Sequence, residues 1–600
     1  MPALTDDISA LPLPGSDVGS TPGSASDISL GQSVYGRLDS SADSDWYEIR
    51  LVAGRTYDFR LLGVGHTPLT DPWVELRDGA GTLITSNDDG LGDFAVNSNL
   101  TYTATTTGIY YVSADGFGGS AGDFLLTVAA NNVNGPVFTA HEVAWQLTNN
   151  FERFFSDGWN NVTTNAYNVS GARQITYNIT GLTAQGAALA VQALQQWSDV
   201  TGISFIAAQA GSAQITFANT DAGTNAYNSN TTDGNGTTTS SYLMLTTGWL
   251  DQFGTTLDSY SFETYIHELG HALGLGHGGN YNGSATYGTD NFYLNDSQHL
   301  SIMSYMQSQH DEFADAPSFG YNTFVDAQFR WVLTPMIADI LAMRNLYGLS
   351  TTTRTGNTTY GYNSNTGNAA LDAAVTLNDP ANNNYVAFTI FDNGGIDTVN
   401  MSGFAGAQRI DLNGGASSNV LGGRLNMGIA YGTVVENAIG GSGGDVIIGN
   451  AAANRLTGGG GRDNLFGGAG ADKLFGGASN DVLNGGVGND EMTGNAGADA
   501  FVFNAMGAAN ADTIFGYVRA DDVIRLDHRA FDELDTGVLA AAAFRANLTG
   551  IAGDASDRII YETDTGRLFY DSDGNGAAGR FLFATIANHA TLANTEFVVI

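Results

Sequence analysis

A nine-residue repeat running from Gly440 to Val502 is the feature that most constrains the fold of this chain. Glycines recur at the start of each unit, and a polar and an apolar position follow in a constant phase. The sixth position holds Asp445, Asn454, Asp463, Asp472, Asp481, Asp490 and Asp499. The eighth position holds Ile447, Leu456, Leu465, Leu474, Leu483, Met492 and Phe501. Because a flexible Gly/Asp linker would not keep an apolar residue in phase, the repeat predicts regular structure.

The chemistry of the repeat predicts a parallel β-roll that binds calcium. Glycines permit turns with positive φ, carboxylates and nearby carbonyls are the oxygen ligands that calcium takes, and the apolar residue points into a thin core. Two repeats make one coil, so the ions lie between loops stacked on the same side. The irregular positions Asn454, Ser479 and Asn495 suggest that some sites are unfilled. We expect calcium ligands at Asp445, Asp463, Asp472, Asp481, Asp490 and Asp499.

The overall charge agrees with cation binding and excludes several classes of protein. The chain has 22 basic and 61 acidic residues, a net charge of −39. Such a surface repels nucleic acids and anionic lipids and attracts hard cations. The absence of cysteine excludes disulfides and a thiol nucleophile. The sequence has no apolar run of about 18 residues, so no membrane span is expected. The start, Met1 to Asp7, lacks the regions of a Sec-type signal, so the protein is cytosolic or its export signal lies elsewhere.

The sequence divides into four segments of different character. Residues 1–25, rich in Ser, Gly, Pro and Asp, predict a flexible leader. Residues 26–132 carry short alternating segments between turn clusters, which is typical of a β-sandwich. Residues 133–348 add helical periodicity and predict an α/β domain. Residues 349–600 are rich in Gly, Asn and Asp, predict few helices and include the β-roll.

Periodicity within residues 133–348 predicts three helices and a strand. The helices are expected at Ala187–Val200, Glu263–Leu275 and Pro335–Leu346. The strand is expected at Gln214–Phe217. The second helix matters most, since it carries the residues of the candidate site.

The stretch from His267 to His277 carries chemistry that points to zinc. On a helix, His267 and His271 share one face a turn apart, where two neutral imidazoles can bind one ion. Gly274 lets the chain turn sharply and returns His277 as a third ligand. Three ligands leave a position open for water and substrate, as in catalytic zinc sites. Glu268, beside the first histidine, is placed to take a proton from a zinc-activated water.

Two residues downstream support this interpretation. Met303 lies about 26 residues beyond His277, where a tight turn could provide an apolar floor beneath the imidazoles. Taken alone, Met303 would be read as an ordinary core residue. Tyr305 could be a core hydroxyl, or it could reach the metal.

These motifs resemble a known family. The extended histidine motif with its Met-turn marks the metzincins, and the form Ser-Ile-Met-Ser-Tyr at Ser301–Tyr305 resembles the serralysins, secreted bacterial endopeptidases. The similarity covers about 140–600 and includes Trp197–Val200, Thr353–Gly356 and Val435–Gly441. Residues 26–132 resemble the pre-peptidase C-terminal type β-sandwich through Asp43–Tyr47, Asp71–Pro72 and Asn87–Asp89.

The resemblance implies roles for individual residues. His267, His271 and His277 would bind zinc and Glu268 would be general base and acid. Tyr305 would be a switchable ligand that leaves zinc to stabilise the tetrahedral oxyanion. Further calcium ligands would be Arg354, Gly356, Thr358, Asp392, Gly394, Gly395, Asp397, Val434 and Glu436. Two features depart from the family: Gly278 stands where proline is usual, and Gln307–Trp331 is longer than expected.

Two motifs near the C-terminus have more than one interpretation. Asp571–Gly576 matches the opening of an EF-hand loop, but position twelve is Leu582, so the bidentate acid is missing. We interpret it as a hairpin turn, with a weak cation site as the alternative. Glu596–Ile600, an acid and four apolar residues, predicts a final strand. The family resemblance implies that such an ending forms part of an uncleaved signal for type I export.

The sequence therefore predicts a multidomain protein with an N-terminal β-sandwich, an α/β metzincin catalytic domain and a C-terminal parallel β-roll. Its function would be that of a secreted, calcium-dependent zinc endopeptidase with one zinc and several calcium ions. Partners would be protein or peptide substrates and a type I exporter, with no nucleic acid, no stable membrane insertion and a monomeric state. A substrate peptide would add to an edge strand at Tyr242–Leu245.

Two questions stay open at this level. The rival interpretation is a catalytically idle calcium-binding surface or adhesion protein, against which the intact Glu268 argues. The N-terminal sandwich could be a substrate-binding module, a latency segment or a stability cap.

Overall fold

The computed structural model describes most of the chain. The described residues are 19–22, 25–28, 33–40, 43–51, 53, 56–63, 69–87, 98–131, 137–149, 165–219, 223–233, 236–279, 281–288, 290–291, 293–307, 322, 324–505, 507 and 509–600. Most of the predicted leader, the pair Asp88 and Asp89, and most of the long segment after Gln307 lie outside them. Strands predominate in the described residues, and the largest sheets consist mainly of parallel strands. The chain divides into two compact units, residues 1–136 with 322–326, and residues 137–321 with 327–600.

The first unit consists of two mostly antiparallel sheets. Its strands are β1 (Ser26–Asp27), β2 (Ser33–Leu38), β3 (Asp45–Leu51), β4 (Thr56–Gly63), β5 (Pro72–Arg77), β6 (Leu83–Asn87), β7 (Ser98–Thr103), β8 (Gly108–Gly116) and β9 (Gly122–Asn131). One sheet has the order β1-β3-β8-β5-β6 and the other β2-β9-β4-β7. Both sheets contribute to one hydrophobic cluster that includes the fully buried Phe59, Val74 and Phe124. The alternating sequence pattern thus buries one face of each sheet.

In the second unit, residues 137–348 combine helices with a twisted sheet. The helices are α1 (Ala140–Asn149), α2 (Ala184–Thr201), α3 (Thr247–Phe253), α4 (Tyr260–Ala272) and α5 (Ile337–Tyr347). The strands are β10 (Ala166–Tyr167), β11 (Gln174–Gly181), β12 (Ser204–Ala207), β13 (Ile215–Ala218), β14 (Ala226–Thr232) and β15 (Thr237–Leu245). The three predicted helices and the predicted strand are confirmed to within a few residues, whereas α1 and α3 were not expected from periodicity.

The edge of this sheet is not where the sequence analysis puts it. The expectation that Tyr242–Leu245 forms the edge is wrong, because β15 has a partner on each side there. Strand β13 pairs with it in parallel, with Phe217 opposite Leu243, and β14 pairs with it antiparallel, with Asn228 opposite the same residue. Among the described strands, β14 pairs with β15 alone and so forms one free edge of the sheet, and β12, which pairs with β11 alone, forms another.

The segment between residue 331 and the repeats carries short strands and one helix. The strands are β16 (Trp331–Val332), β17 (Thr359–Gly361), β18 (Val386–Ile390), β19 (Thr398–Asn400), β20 (Arg409–Asp411), β21 (Ser417–Ser418), β22 (Met427–Ile429) and β23 (Asn437–Ile439). Helix α6 (Ala369–Leu377) was not expected after residue 349. It begins at Asn368, whose side chain accepts hydrogen bonds from the amides of Ala370 and Leu371.

The repeats form two parallel sheets. Their strands are β24 (Val446–Ile448), β25 (Arg455–Gly460), β26 (Asn464–Ala469), β27 (Lys473–Ala478), β28 (Val482–Val487), β29 (Glu491–Ala496) and β30 (Ala500–Phe503). Even-numbered strands lie in one sheet and odd-numbered strands in the other. Leu456 pairs with Leu474, and Leu465 pairs with Leu483, so the offset is two repeats. The seven apolar residues of the eighth position are fully buried. This is the arrangement that a parallel β-roll requires.

The last strands close both sheets. They are β31 (Asp512–Phe515), β32 (Val523–Leu526), β33 (Gly537–Val538), β34 (Phe544–Asn547), β35 (Ile559–Glu562), β36 (Arg567–Tyr570), β37 (Phe581–Ile586) and β38 (Phe597–Val599). The predicted final strand is confirmed, since β38 pairs with β32 and β33. The predicted hairpin at Asp571–Gly576 is also confirmed, because the antiparallel strands β36 and β37 flank it. No helix within the described ranges is long and apolar enough to cross a membrane.

Candidate metal centres

Helix α4 carries the histidine motif and is fixed at both its start and its middle. The Ser259 side chain accepts a hydrogen bond from the amide of Phe262 and so caps the first turn. The indole N–H of Trp197, on α2, donates to the carbonyl of Ile266 at 2.9 Å. The helix is therefore held rigidly next to the residues that the motif presents.

Two glycines of the motif are required by close approaches. A Cβ on Gly270 would lie 2.6 Å from the Sδ of Met303, so the methionine packs directly beneath the helix. Gly274 has φ of +105°, and a Cβ there would lie 1.7 Å from the carbonyl oxygen of Asn165. The chain can therefore turn sharply after α4, as the sequence predicts, and bring His277 back.

The structure brings the three histidines together. The ligand nitrogens of His267, His271 and His277 all lie within 4.8 Å of one another. The Nε2 atoms of His271 and His277 are 3.0 Å apart. The rings of His267 and His271 are nearly perpendicular, with centroids 4.7 Å apart.

Main-chain carbonyls set the orientation of these imidazoles. The Nδ1 atoms of His267 and His271 each lie 2.8 Å from a carbonyl oxygen, and His277 also hydrogen-bonds to a main-chain group. The partners are, in order, Ile302, Leu275 and Tyr281. Because a carbonyl can only accept, Nδ1 of the first two carries the proton and Nε2 keeps its lone pair.

The surroundings also keep the imidazoles neutral. Burial, with a smaller effect of the neighbouring ring of His271, lowers the pKa of His267 to about 3. Burial lowers the pKa of His271 to about 4 and places that of His277 well below its ordinary value. Neutral imidazole is the form that binds zinc. Three imidazole nitrogens this close together match the donor set of a catalytic zinc site. The residues present therefore fit a zinc ion.

Glu268 is buried beside this cluster and faces strand β14. Burial raises the pKa of its carboxyl to about 8, and a hydrogen bond from the main-chain amide of Asn228 opposes the effect. The side chain of Asn230 donates to the carbonyl of His271 at 2.7 Å. Neither asparagine was identified from the sequence, because the packing of strand β14 against helix α4 leaves no signal in the local pattern.

The turn that contains Met303 is held by Asp339, a further residue that was not identified from the sequence. The hydroxyl of Ser301 donates to Asp339 at 2.6 Å, and the amide of Ile302 donates to the same carboxylate at 2.9 Å. Asp339 also accepts from the amide of Met336 at the start of α5. Burial raises the pKa of Asp339 to about 6, and these hydrogen bonds oppose the shift. Asp339 thereby fixes the carbonyl that orients His267.

Tyr305 lies between the third histidine, which its ring meets edge-on, and a second tyrosine, on which its ring stacks. Its ring centroid lies 4.5 Å from that of His277 and 4.9 Å from that of Tyr281. The hydroxyl of Tyr281 donates to the fully buried Asp296 at 3.0 Å. A Cβ on Gly278 would lie 2.7 Å from the Asp296 carboxylate and 2.9 Å from the Tyr281 hydroxyl. This crowding is a physical reason for glycine at the position where the family usually has proline.

The carboxylates of the repeats line up in two ladders. In each ladder the amide of one residue donates to the side-chain Oδ1 of the residue 18 positions later, at 2.7–2.9 Å. One ladder contains Asp445, Asp463, Asp481 and Asp499, and the other contains Asn454, Asp472 and Asp490. The Oδ2 atoms of Asp463, Asp472, Asp481 and Asp490 are buried without a hydrogen-bond partner in the described structure.

These carboxylates have the properties of a cation site. Burial, reinforced by neighbouring carboxylates, raises the pKa of Asp463 and Asp472 to about 7 and that of Asp481 to about 6. A buried carboxylate oxygen without a donor requires a proton or a cation. Oxygen ligands of this kind fit calcium.

Two further aspartates extend the ladders beyond the last repeat. The amide of Asp490 donates to Asp512 at 3.0 Å, and the amide of Asp499 donates to Asp522 at 3.0 Å. These steps span 22 and 23 residues, so a search for the nine-residue period misses both acceptors. Burial raises the pKa of Asp512 to about 8.

The predicted ligands ahead of the repeats belong to three loops that meet. The amide of Thr358 donates to Asp397 at 2.7 Å, and the amide of Asp397 donates to Glu436 at 2.7 Å. A Cβ on Gly395 would lie 2.6 Å from the carbonyl oxygen of Gly356. The Oδ2 atom of Asp397 is buried without a partner within the described residues, as in the ladders.

The remaining residues of this predicted group lie in the same loops. Asp392 accepts hydrogen bonds from the amide of Gly394 at 2.8 Å and from the hydroxyl of Tyr360 at 2.7 Å. Arg354 adopts φ of +53° and forms an ion pair with Asp199 through its side chain, leaving only its carbonyl for a cation. Val434 is exposed.

Comparisons with known proteins agree with this picture over parts of the chain. Residues 349–599 match the family described as Peptidase M10 serralysin C terminal, and residues 160–318 match Peptidase M66. A Metallopeptidase AprA of Pseudomonas marginalis is 36% identical over 295 residues, which are 48% of this chain and 57% of the relative. Serralysin B of Dickeya chrysanthemi is 35% identical over 271 residues, 42% of this chain and 51% of the relative.

These matches cover only part of this chain and only part of each relative. The chain spans about half the length of the curated relatives it matches first. The pre-Peptidase C-terminal domain of a collagenase from Bacillus anthracis covers 17% of this chain at 17% identity, with a TM-score of 0.15, which is too low to support an inference. The family matches and the relatives agree on one assignment for the matched part of the sequence. Residues 349–599 carry a serralysin-type C-terminal domain, and over the matched part the chain is related to the serralysin-type metallopeptidases.

Proposed function

We propose that the protein is a secreted, calcium-dependent zinc endopeptidase that hydrolyses peptide bonds of extracellular proteins. The observation that carries the proposal is the convergence of three neutral imidazoles, from His267, His271 and His277, beside the buried carboxyl of Glu268. Zinc in this site supplies Lewis acidity to the scissile carbonyl and to a water molecule. The chain's own residues perform the remaining steps.

Glu268 handles the proton. Its carboxylate takes a proton from the attacking water and passes it to the leaving amine, as a general base and then acid. Without metal, burial raises its pKa to about 8, and the positive charge of a bound zinc ion would favour the ionised form that acts as the base. The amide of Asn228 orients the carboxylate from strand β14. Tyr305, whose ring meets that of His277 edge-on with centroids 4.5 Å apart, donates a hydrogen bond from its hydroxyl to the developing oxyanion.

The free edge of β14 is where the substrate peptide lies. Strand β14 contributes Asn228 and Asn230 to the surroundings of helix α4, so a peptide added to its free edge passes the histidine cluster. Main-chain hydrogen bonds would hold such a peptide antiparallel to the edge. Tyr227, on the same strand, is 45% exposed and offers an apolar contact.

Calcium holds the second half of the chain in its folded form. The unpaired Oδ2 atoms of the ladders and of Asp397 support one ion between each pair of stacked loops. Asp512 and Asp522 extend the ligand sets at the end of the roll. We assign residues 133–348 to the α/β catalytic domain and residues 26–132 to an accessory β-sandwich. Residues 349–600 would form the roll and carry the export signal for a type I exporter.

Digestion of casein by the purified chain tests the proposal. Wild-type protein should cleave internal bonds, and a zinc chelator should abolish the activity until zinc is restored. Glu268→Gln should retain about one zinc per chain and lose about 10²–10⁴-fold in kcat, because it removes the base but no ligand. Asp251→Asn, an exposed acid on α3, is the matched control and should leave the activity unchanged. Full activity in Glu268→Gln would refute the assignment of Glu268 as the base, and absence of activity in the zinc-loaded wild-type protein would favour an idle calcium-binding protein.

A further inference from the structure

Asp296 is a fully buried acid close to Tyr305, and the peptidase proposal gives it no task. Its carboxylate accepts hydrogen bonds from the hydroxyl of Ser304 at 2.7 Å and from the hydroxyl of Tyr281 at 3.0 Å. Burial raises the pKa of Asp296 to about 6, and these hydrogen bonds oppose the shift. An uncharged side chain of similar size would fill the same volume at a lower cost of burial. Packing alone therefore does not account for a carboxylate at this position.

Hydrogen bonds connect this carboxylate with the main chain around Tyr305. The amide of Tyr305 donates to the hydroxyl of Tyr281 at 3.3 Å, and that hydroxyl donates to Asp296. The amide of Met306 donates to the hydroxyl of Ser304 at 3.0 Å, and this second hydroxyl also donates to Asp296. Because the main chain is held at Tyr305 and at both of its neighbours, the ring changes position only by rotation about side-chain bonds.

The ring of Tyr281 restricts that rotation as well. It stacks on the ring of Tyr305, with centroids 4.9 Å and planes 29° apart, and its centroid lies 5.5 Å from that of His277. Both tyrosines belong to one small apolar cluster, whose members are Tyr281, Ala285, Met306, Tyr287 and Tyr305. The orientation of Tyr281, which depends on Asp296, therefore sets the space that the ring of Tyr305 can occupy.

A phenol held in this way suits the chemistry proposed for Tyr305. Its hydroxyl stabilises a developing oxyanion only when it points to the place where the charge appears. A ring that already has this orientation loses little rotational freedom during the reaction, which lowers the barrier.

We propose that Asp296 and Tyr281 are positioning residues that hold Tyr305 in the orientation from which its hydroxyl meets the oxyanion. Asp296 acts through the hydroxyls of Tyr281 and Ser304. The inference rests on the proposed function, because it concerns the reaction in which Tyr305 is proposed to take part. The hydroxyl of Tyr281 is the connection to test, since Tyr281→Phe removes it and keeps the stacked ring.

A double-mutant cycle in the zinc-loaded full chain tests whether Tyr281 acts through Tyr305. Steady-state kinetics on a fluorogenic peptide compares Tyr281→Phe, Tyr305→Phe and the double variant with the wild type. In the wild-type background, Tyr281→Phe should lower kcat about tenfold and leave KM nearly unchanged. In the Tyr305→Phe background the same change should lower kcat by less than about twofold, because the hydroxyl that it positions is already gone.

Two further variants complete the cycle. Tyr287→Phe is the matched control, since it removes a hydroxyl from the same cluster that donates to the carbonyl of Leu294, and it should leave kcat unchanged in both backgrounds. Asp296→Asn keeps the volume and removes the charge, and it should repeat the pattern of Tyr281→Phe. If Asp296→Asn binds less than one zinc per chain, Ser304→Ala takes its place, because it removes the other connection.

Hydrogen exchange measures the same effect without turnover. In a chain that carries Glu268→Gln, the amide of Tyr305 should exchange about tenfold faster once Tyr281→Phe removes its acceptor, while helix α4 keeps its protection.

Equal losses of kcat in the two backgrounds, a rise in KM at constant kcat, or an unchanged exchange rate at Tyr305 would overturn the proposal. Wild-type activity in Tyr281→Phe would also overturn it and would leave the peptidase function standing. Absence of proteolysis in the zinc-loaded wild type would refute the peptidase function itself, and this inference with it, so the two failures are distinguished by the wild-type protein.

Discussion

At the scale of single residues, the candidate zinc site is held by main-chain groups more than by charged partners. The carbonyls of Ile302 and Leu275 orient two of the imidazoles, and no carboxylate is needed for that purpose. A carbonyl fixes the tautomer without adding charge, so the site stays neutral before the metal binds. The acid that does contribute, Asp339, acts one step away by holding the turn at Ile302.

Tyr305 offers a test of transition-state stabilisation. Tyr305→Phe removes the hydroxyl but keeps the ring, which meets His277 edge-on and stacks on Tyr281. If the hydroxyl acts mainly on the oxyanion, kcat should fall about 10²-fold while KM changes little. Steady-state kinetics on a fluorogenic peptide measures the two constants separately.

Tyr287→Phe is the matched control for that experiment. Its hydroxyl donates to the carbonyl of Leu294 at 2.8 Å and has no part in the proposed chemistry. This variant should keep kcat and KM near their wild-type values. If both variants lose activity equally, or if Tyr305→Phe raises KM and spares kcat, Tyr305 does not stabilise the oxyanion.

At the scale of elements, the period of the apolar residues in a segment predicted its secondary structure. The period of 3.6 residues placed helix α4 within three residues of its observed bounds, and the period of nine identified the buried apolar residue of each repeat. The partners of these elements were not accessible in the same way. Strand β14 has no strong apolar alternation, and although it forms a hairpin with the next strand, its position at an edge depends on how β13 pairs with the other side of β15.

The same distinction explains which site residues were missed. The histidines and Glu268 fall within eleven consecutive residues, so their spacing reveals them. Asn228 and Asp339 reach the site from other elements, and Asp512 and Asp522 fall out of phase with the repeat. A pattern search finds residues that share one element and loses those that only the fold brings together.

The β-roll should depend on calcium for its folding. Each repeat buries one large apolar side chain, which cannot offset a backbone ordering cost of about 1–2 kcal/mol per residue. The unpaired carboxylates of Asp463, Asp472 and Asp481 add repulsion when no cation is present. In a chelator, residues 440–503 should therefore lose their protection from hydrogen exchange, and calcium should restore it.

Magnesium and the rest of the chain serve as controls for this prediction. Magnesium demands a tighter octahedral geometry and should not restore protection at equal concentration. Helix α4 should stay protected in the chelator while zinc is bound. Full protection of residues 440–503 without calcium would show that the roll is stable by itself.

Acid should partly replace calcium in the metal-free roll. The pKa of Asp463 and Asp472 is about 7 in the folded chain, against about 3.9 for an unfolded aspartate. The folded state therefore binds more protons between pH 4 and 7, and the free energy of unfolding rises as the pH falls through that window. In calcium-free buffer, exchange protection of residues 440–503, corrected for the intrinsic rate, should be greater at pH 5 than at pH 8. Equal protection at the two pH values contradicts the prediction.

At the scale of the whole molecule, charge and metal binding connect folding with location. A net charge of −39 opposes compaction wherever free calcium is scarce, and calcium bound at extracellular concentrations reduces that repulsion. A chain that stays unfolded in the cell and folds outside it suits export by a one-step machine. The first compact unit needs no such switch, because its two sheets share one large cluster of buried apolar residues.

Export should consequently depend on the C-terminal part of the chain and not on the first unit. In cells that carry a type I exporter for serralysins, a chain ending at residue 550 should accumulate inside, because it lacks the implied signal and strands β35 to β38. A chain without residues 1–136, the larger part of the first compact unit, is the matched control and should reach the medium. Immunoblots of cells and medium measure the two fractions. Normal export of the first variant, or retention of the second, would place the export signal elsewhere in the sequence.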